Sequence, residues 1–175
     1  MSLERIIPAA TARGLRFVVI GGLAVVVHGY GRTTKDVDLM ISRIDKERWL
    51  ELMAASGFKA FHDGGSFVQF AAADDGADRI DIMHVASESF EQIWEKSLST
   101  ALGGDEFRVP TLNHLLALKV HSLKHGANHR QFIDLNDILQ LIRINSVDVG
   151  SPEIHAIFAK HGTEELYQQA IKVSR

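Results

Sequence analysis

The sequence predicts an α/β fold of the α+β type, in which a mixed twisted sheet with flanking helices is followed by a C-terminal helical segment. Short apolar runs bounded by glycine-rich turns recur as far as Pro110, as in a series of strands. Helical patterns lie between several of these runs, which favours a mixed sheet. Beyond Pro110 the pattern is helical. We therefore expect an α/β core at residues 1–105 and a helical segment, packed on that core, at residues 106–175.

The elements of the predicted core follow from apolar patterns and turn residues. Glycines end two of the predicted helices, at Gly29 and at Gly57. Turns between the later strands are expected at 63–66 and 74–76, where aspartate and glycine cluster. The predicted elements are a helix at 6–13, a strand at 16–20, a helix at 22–28, a strand at 36–41, a helix at 45–55, and strands at 58–61, 67–72 and 79–85.

Helices dominate the remainder of the chain. Ser87 is expected to cap the next helix, and a short strand pair follows around residues 103–104. Pro152 marks one helix start, because proline suits the first helical turn, and Gly162 marks a stop. The four predicted C-terminal helices lie at 112–125, 132–143, 152–161 and 164–173.

The composition excludes several classes of protein. The 175-residue chain has no cysteine, so it has neither disulfides nor thiolate metal sites. No apolar run approaches the roughly 20 residues that a membrane-spanning helix needs, so we expect no membrane contact and a cytoplasmic location. The net charge of −3 argues against a surface that attracts nucleic acid as a whole. One segment is basic, since residues 107–133 contain no aspartate or glutamate.

Residues 20–39 carry the strongest functional pattern. Gly21 and Gly22 follow an apolar strand, and Asp36 and Asp38 begin the next one. Strand positions two apart point the same way, so the carboxylates share a face with Cα atoms about 6–7 Å apart. That arrangement suits hard oxygen ligands for a pair of divalent ions. The glycines allow a sharp bend and a close approach of the backbone to phosphate. The pattern predicts chemistry on a nucleoside triphosphate.

This combination resembles the signature of the nucleotidyltransferase superfamily related to DNA polymerase beta. The resemblance covers residues 17–84 and 109–142. It includes a third carboxylate flanked by apolar residues, Asp81, between Ile80 and Ile82. A glycine pair, an Asp-Val-Asp at this spacing and a later apolar-flanked aspartate form a fairly specific set.

Two segments are most similar to the AbiEii/AbiGii-type toxin group of that superfamily. The first is Gly-Arg-Thr-Thr-Lys at residues 31–35, which runs directly into Asp36. The second is a spaced series of charged residues: Lys119, Arg130, Asp134 and Asp137.

The resemblance implies a metal-dependent enzyme that moves a nucleoside monophosphate from a nucleoside triphosphate to a hydroxyl acceptor. Asp36, Asp38 and Asp81 would hold two Mg²⁺ ions, or Mn²⁺, and Asp81 would help to deprotonate the acceptor. The amides of Gly21 and Gly22 would hold the triphosphate. The acceptor would be RNA, a protein or a small molecule, and the toxin group implies an antitoxin or another partner protein. The alternative is a nucleotide-binding or protein-interaction module of the same fold without turnover.

Lys119 is a candidate from helical spacing alone. It lies in the middle of the apolar stripe of the helix at 112–125, and lysine is seldom buried without a partner. It therefore reaches either the helix edge or a cleft that holds carboxylates or phosphates, and we favour a contact to the triphosphate. Arg32 precedes Asp36 in a loop, and two interpretations are open. Its side chain contacts a phosphate or the acceptor, or it is simply solvated.

Two other groups leave structural and functional interpretations open. His121 and His125 are spaced to chelate a metal, although a solvent-facing histidine stripe is favoured over a metal site. Arg130 and Asp134 are four residues apart on a predicted helix, and Asp137 follows three residues later. These charged residues form either a helix-surface ion pair or part of a site.

Overall fold

The computed structural model describes residues 2–34, 36–73, 79–102, 104–125 and 131–174. Lys35, Arg130 and the turn expected at 74–76 lie outside these ranges. No helix of the described residues is both long and apolar enough to cross a membrane. The elements are α1 Ser2–Ala12, β1 Val18–Ile20, α2 Gly21–Val27, β2 Asp36–Ser42, α3 Lys46–Ala55, β3 Phe58–Asp63, β4 Phe67–Ala72, β5 Arg79–Val85, α4 Ser87–Lys96, β6 Leu98–Leu102, β7 Asp105–Val109, α5 Leu112–His125, α6 Gln131–Ile144, α7 Pro152–His161 and α8 Glu164–Ser174.

The predicted fold class is confirmed, because a five-stranded mixed sheet is combined with flanking helices. Two local predictions are wrong. β1 begins at Val18, and Arg16 instead extends its side chain to the carboxylate of Glu91 at 2.8 Å. Ser87 does not cap α4 but is its first residue, and its hydroxyl is hydrogen-bonded to that of Ser42 at 2.9 Å.

The strand order of the main sheet is β1-β2-β5-β4-β3. β2 and β5 are parallel, while the other neighbours in this sheet are antiparallel. A parallel pair needs a crossover connection, which α3 and the β3–β4 hairpin provide here. β6 and β7 form a separate antiparallel pair. The topology therefore makes neighbours of β2 and β5, which are far apart in sequence.

One face of the main sheet is buried beneath α3. Val37 and Leu39 of β2 and Ile80 and Ile82 of β5 point to this face and are buried. Trp49 of α3 is also buried and lines a small cavity with side chains from β2, β4 and β5. Burial of each large apolar side chain contributes roughly 1.5–3 kcal/mol. The alternate residues of β2 and β5 point to the opposite face, which we call the carboxylate face.

Contacts divide the chain into two compact units. The sheet unit comprises residues 1–24 and 33–110, and the helical unit comprises residues 25–32 and 111–175. Within the helical unit, α5 packs on α6 and α7, and α8 packs on α6 and α7. Residues 25–32 thus belong with the C-terminal helices, although they lie between two strands in the sequence. A division into two domains near residue 105 stays a prediction.

Candidate active site

Three carboxylates lie on the carboxylate face of the sheet. Asp36 and Asp38 are two residues apart on β2, and the parallel register sets Asp38 directly opposite Asp81 of β5. All three are half-buried, whereas the alternate residues Val37 and Ile80 are buried. Adjacent strands lie about 4.8 Å apart, so the side chains of Asp38 and Asp81 project side by side. The register therefore brings together the three aspartates that the sequence singled out.

The backbone at Gly21 lies directly against the side chain of Asp38. Ile20 pairs with Asp38 in the β1–β2 ladder, so the chain turns next to the Asp38 side chain. Gly21 has a φ of +62°, and a Cβ at this position would lie 1.9 Å from Oδ2 of Asp38. Glycine is therefore required both by the backbone conformation and by the close approach of a carboxylate. Gly22 follows in α2 and is buried.

Gly21→Ala is expected to lower the free energy of unfolding by more than Gly14→Ala does. Both glycines have a positive φ, +62° and +60°, so each substitution costs about 1–2 kcal/mol of backbone strain. No described atom lies within 4 Å of a Cβ at Gly14, whereas at Gly21 the side chain of Asp38 has to move. We expect a further 1 kcal/mol or more at Gly21, by order of magnitude. Urea titration of both variants measures the difference in the free energy of unfolding. An equal decrease in both variants would mean that the Asp38 side chain moves aside at no cost in free energy.

Gln69 extends the row of polar side chains to β4. It pairs with Asp81 in the antiparallel β4–β5 ladder, and its side-chain amide donates a hydrogen bond to Oδ2 of Asp81 at 2.9 Å. No local pattern in the sequence singles out this residue. The alternation of β4 places Gln69 between the buried Val68 and Phe70, but only the strand register shows that its partner is Asp81.

The carboxylate face has the donor chemistry of a magnesium site. In the part of the chain that the structure describes, no three histidine, cysteine, aspartate or glutamate side chains form a group that could hold an ion by themselves. Mg²⁺ does not need such a group, because it is usually bound by one or two carboxylates and completes its shell with water and substrate phosphates. Asp38 and Asp81, with Asp36 nearby on the same face, meet that requirement.

Arg32 and Lys119 belong to the helical unit, where both contact Asp137. Arg32 donates through Nε and Nη2 to the two oxygens of Asp137 at 2.8 and 2.9 Å. Nζ of Lys119 lies 2.8 Å from Oδ2 of Asp137 and 2.8 Å from Oδ1 of Asp134. The hydroxyl of Ser122 donates to the other oxygen of Asp134 at 2.7 Å. Two cations and two carboxylates thus form one network, which we call the Lys119 network.

Most of the Lys119 network is buried. Lys119, Asp134 and Asp137 are 5%, 3% and 0% exposed. The interpretation of Asp134 and Asp137 as helix-surface residues is therefore wrong, because α6 turns both toward α5. Arg130, the expected surface partner of Asp134, lies outside the described residues. The alternative of a simply solvated Arg32 is also wrong, since Asp137 binds it through two hydrogen bonds. A phosphate contact of Lys119 or Arg32 stays a prediction.

The histidine pair on α5 is exposed to solvent. The ring centres of His121 and His125 lie 4.6 Å apart, and the ring centre of His161 in α7 lies 5.8 Å from that of His121. Partial burial of the ring, followed by the charges of His125 and Lys124, lowers the pKa of His121. Within the described residues, no group of three ligand side chains suited to a metal includes them. The solvent-facing stripe is therefore the better interpretation.

Comparison with known proteins decides the family. The whole chain, residues 1–175, matches the family described as "Uncharacterised nucleotidyltransferase". The chain belongs to this nucleotidyltransferase family. It is therefore an enzyme of the class that transfers a nucleoside monophosphate, in agreement with the superfamily resemblance of the glycine pair and the aspartates. No curated protein matches the chain.

Solved structures share the fold of this nucleotidyltransferase. The antigenic nucleotidyltransferase-like protein from Paracoccidioides brasiliensis has a TM-score of 0.63 and 17% identity, over 99% of this chain and 88% of that one. The antibiotic-resistance factor ANT(2'')-Ia has a TM-score of 0.65 and 12% identity, over 90% and 87%. The lincomycin-bound lincosamide antibiotic adenylyltransferase LnuA has a TM-score of 0.54 and 13% identity, over 79% and 95%. At these identities the likeness concerns the fold alone.

Proposed function

We propose that this nucleotidyltransferase is metal-dependent and that its catalytic centre is the carboxylate face. The observation that carries the proposal is the register of β2 and β5, which sets Asp38 beside Asp81 with Asp36 on the same face. Asp36, Asp38 and Asp81 would hold two Mg²⁺ ions, or Mn²⁺, together with phosphate oxygens of a nucleoside triphosphate. Bound there, the ions supply positive charge that offsets the negative charge developing on the phosphates.

The proposed reaction joins the acceptor oxygen to the α-phosphorus of the nucleoside triphosphate. Asp81 accepts the proton of the acceptor hydroxyl, whose oxygen attacks the α-phosphorus. The bond from the α-phosphorus to the oxygen that bridges to the β-phosphate breaks, and pyrophosphate leaves. Gln69 donates a hydrogen bond to Oδ2 of Asp81 and would so hold this carboxylate in position. The contribution of the chain is mostly positioning.

The phosphate contacts in this proposal start with the glycine pair. The sharp turn at Gly21, with a φ of +62°, brings backbone rather than a side chain against Asp38. Amides of Gly21 and Gly22 would therefore donate to the triphosphate. A contact of Lys119 to the triphosphate stays a prediction from its helical spacing, and its Nζ is held by Asp134 and Asp137. Arg32 is assigned a contact to phosphate or acceptor through its guanidinium.

The proposal leaves three classes of acceptor open: RNA, a protein hydroxyl or a small molecule. The resemblance to the AbiEii/AbiGii-type toxin group adds a toxin–antitoxin role with an antitoxin as partner. That role rests on the segment from Gly31 to Asp36 and on the Lys119 series, and it stays a prediction.

Transfer of α-phosphate label tests the proposed function. Each α-³²P nucleoside triphosphate is incubated with the protein and with Mg²⁺, Mn²⁺ or a chelator. Total RNA, extract proteins, small hydroxyl compounds and the protein itself serve as acceptors. We expect label on one acceptor class, dependent on the metal. Absence of label on every acceptor, with retained binding of magnesium-nucleotide, would favour the binding-module alternative.

Gln69→Ala is expected to raise the Mg²⁺ concentration needed for half-maximal transfer by roughly 10-fold or more. The physical reason is that residues which orient a metal-binding side chain commonly change metal affinity or activity 10–100-fold, by order of magnitude, when they are replaced. Mg²⁺ titration of initial rates measures the effect. Gln92→Ala, an exposed glutamine of α4, is the matched control. Identical titrations for wild type and Gln69→Ala would remove Gln69 from the site.

A further inference from the structure

The carboxylate face continues beyond the proposed catalytic residues onto β4 and β3. We propose that this continuation, formed by Lys59, Phe61, His62, Gln69 and Arg79, binds a single-stranded nucleic acid whose terminal hydroxyl is the acceptor. We call it the acceptor platform. The inference rests on the proposed function, because Asp81 marks the point at which the acceptor hydroxyl reacts. It commits that function to one acceptor class and one surface.

Strand register connects the acceptor platform to the carboxylates. One row of paired residues crosses four strands in the order Asp38, Asp81, Gln69, His62. The neighbouring row crosses the same strands in the order Asp36, Arg79, Ala71, Lys59. Paired residues project from the same face of a sheet. β3 lies two strand spacings from β5, or about 10 Å. A chain that starts at Asp81 therefore reaches the edge of the sheet within a short distance.

An exposed aromatic ring lies at the end of this path. The β3–β4 register shifts between Ala60 and His62, so Phe61 is the extra residue of a bulge. Phe61 is 53% exposed, and the guanidinium carbon of Arg79 lies 5.6 Å from the centre of its ring. An aromatic ring beside a guanidinium offers a stacking surface for a base together with a donor for phosphate. Bulges are over-represented next to active sites, where they re-aim side chains.

The charges of the platform favour a polyanion. Lys59, His62 and Arg79 are exposed, and the acidic residue of β3 and β4, Asp63, is bound by Lys46 at 3.0 Å. Among the described residues of β2 and β5, the carboxylates on this face are those assigned to metal ions. A single strand that crosses the platform would therefore place phosphates beside cations and a base on Phe61. Electrostatic attraction and sequence-tolerant stacking are the usual means of binding single strands.

The hairpin that carries the platform is closed by an ordered turn. The amide of Gly64 donates to the carbonyl of Phe67, and that of Gly65 donates to the side chain of Asp63, both at 2.9 Å. The ring of Phe67 fills the space beside Gly64, where an added Cβ would lie 2.4 Å from the nearest ring carbon. The centre of the His62 ring lies 5.4 Å from the centre of the Phe67 ring. Less conformational entropy is lost on binding when such a surface is already ordered.

Binding of a labelled oligonucleotide tests this inference without relying on turnover. Fluorescence anisotropy of a fluorescein-labelled single-stranded oligoribonucleotide is measured with the full chain, and a deoxyribonucleotide strand of the same sequence separates RNA from DNA. We expect Phe61→Ala to weaken binding by roughly 10-fold, the loss of one base stacked on an aromatic ring. Arg79→Ala is expected to reduce the slope of log affinity against log salt by about one ion. Ile44→Ala, an exposed apolar residue beyond the other end of β2, should leave binding unchanged.

The outcomes separate this inference from the proposed function. Binding to neither strand, or equal affinity for wild type and Phe61→Ala, would overturn the acceptor platform even if label transfer to a protein or a small molecule is observed. Binding that depends on Phe61 and Arg79 supports the platform even if no transfer is detected. In that case it is the proposed turnover, rather than the surface, that fails.

Discussion

Asp38→Asn is expected to reduce nucleotide transfer by about 100- to 1,000-fold, the loss seen when one group that stabilises transition-state charge is removed. Asparagine has nearly the same shape as aspartate, so the close packing against Gly21 is preserved. What is lost is the negative charge beside Asp81 that would bind a divalent ion. The rate of label transfer under saturating nucleotide measures the effect. Unfolding midpoints should differ little between the two proteins.

Asp63→Asn is the matched control for this substitution. Asp63 lies on the same sheet, but its carboxylate is 53% exposed and is bound to Lys46 rather than placed on the carboxylate face. An exposed ion pair of this kind contributes little to stability. Transfer by Asp63→Asn should therefore match the wild type. If Asp38→Asn were as active as Asp63→Asn, the carboxylate face would not be the catalytic centre.

Lys119→Met is expected to lower the free energy of unfolding by about 3–5 kcal/mol, the loss typical of removing one partner from a buried ion pair. Methionine fills a similar volume in the apolar stripe of α5, so lost packing is a small part of the effect. In the variant, Asp137 keeps its two hydrogen bonds from the Arg32 guanidinium. Asp134 loses the ammonium, and its remaining partner within the network is the uncharged hydroxyl of Ser122. An aspartate that is 3% exposed would then lack a cation within the network.

Urea unfolding of Lys119→Met, with Lys124→Met as its control, measures this effect. Lys124 is an exposed lysine on the same helix, so its replacement changes the net charge equally without disturbing a buried network. We expect a large shift of the midpoint for Lys119→Met and little change for Lys124→Met. Equal midpoints would show that the Lys119 network contributes nothing to stability beyond what an apolar side chain supplies.

The carboxylate face could be predicted from sequence because its signals are local. The spacing of the glycine pair and of Asp36 and Asp38 is set within one strand–helix–strand unit. Apolar neighbours on both sides place Asp81 on an outward face. Gln69 could not be found in this way, because its role depends on the register between β4 and β5. The same holds for Gly21, whose contact with Asp38 depends on the β1–β2 pairing.

The helical unit shows a different limit of sequence analysis. Helical spacing identified Lys119 as a lysine in an apolar stripe, which requires a partner. It did not identify Asp134 and Asp137 as the buried partners of Lys119, because the rotation of α6 against α5 decides whether these aspartates face solvent or the core. Nor did it assign residues 25–32 to the helical unit, since that assignment depends on long-range contacts such as the hydrogen bonds from Arg32 to Asp137.

We expect the chain to transfer the α-phosphoryl group, together with its nucleoside, to an acceptor. The most direct test compares two preparations of the same nucleoside triphosphate, one labelled at the α-phosphorus and one at the γ-phosphorus, on the acceptor found by screening. Nucleotidyl transfer predicts α-label on the acceptor and γ-label in released pyrophosphate, both abolished with the metal removed. Label from the γ-position on the acceptor would show phosphoryl transfer instead and would contradict the account.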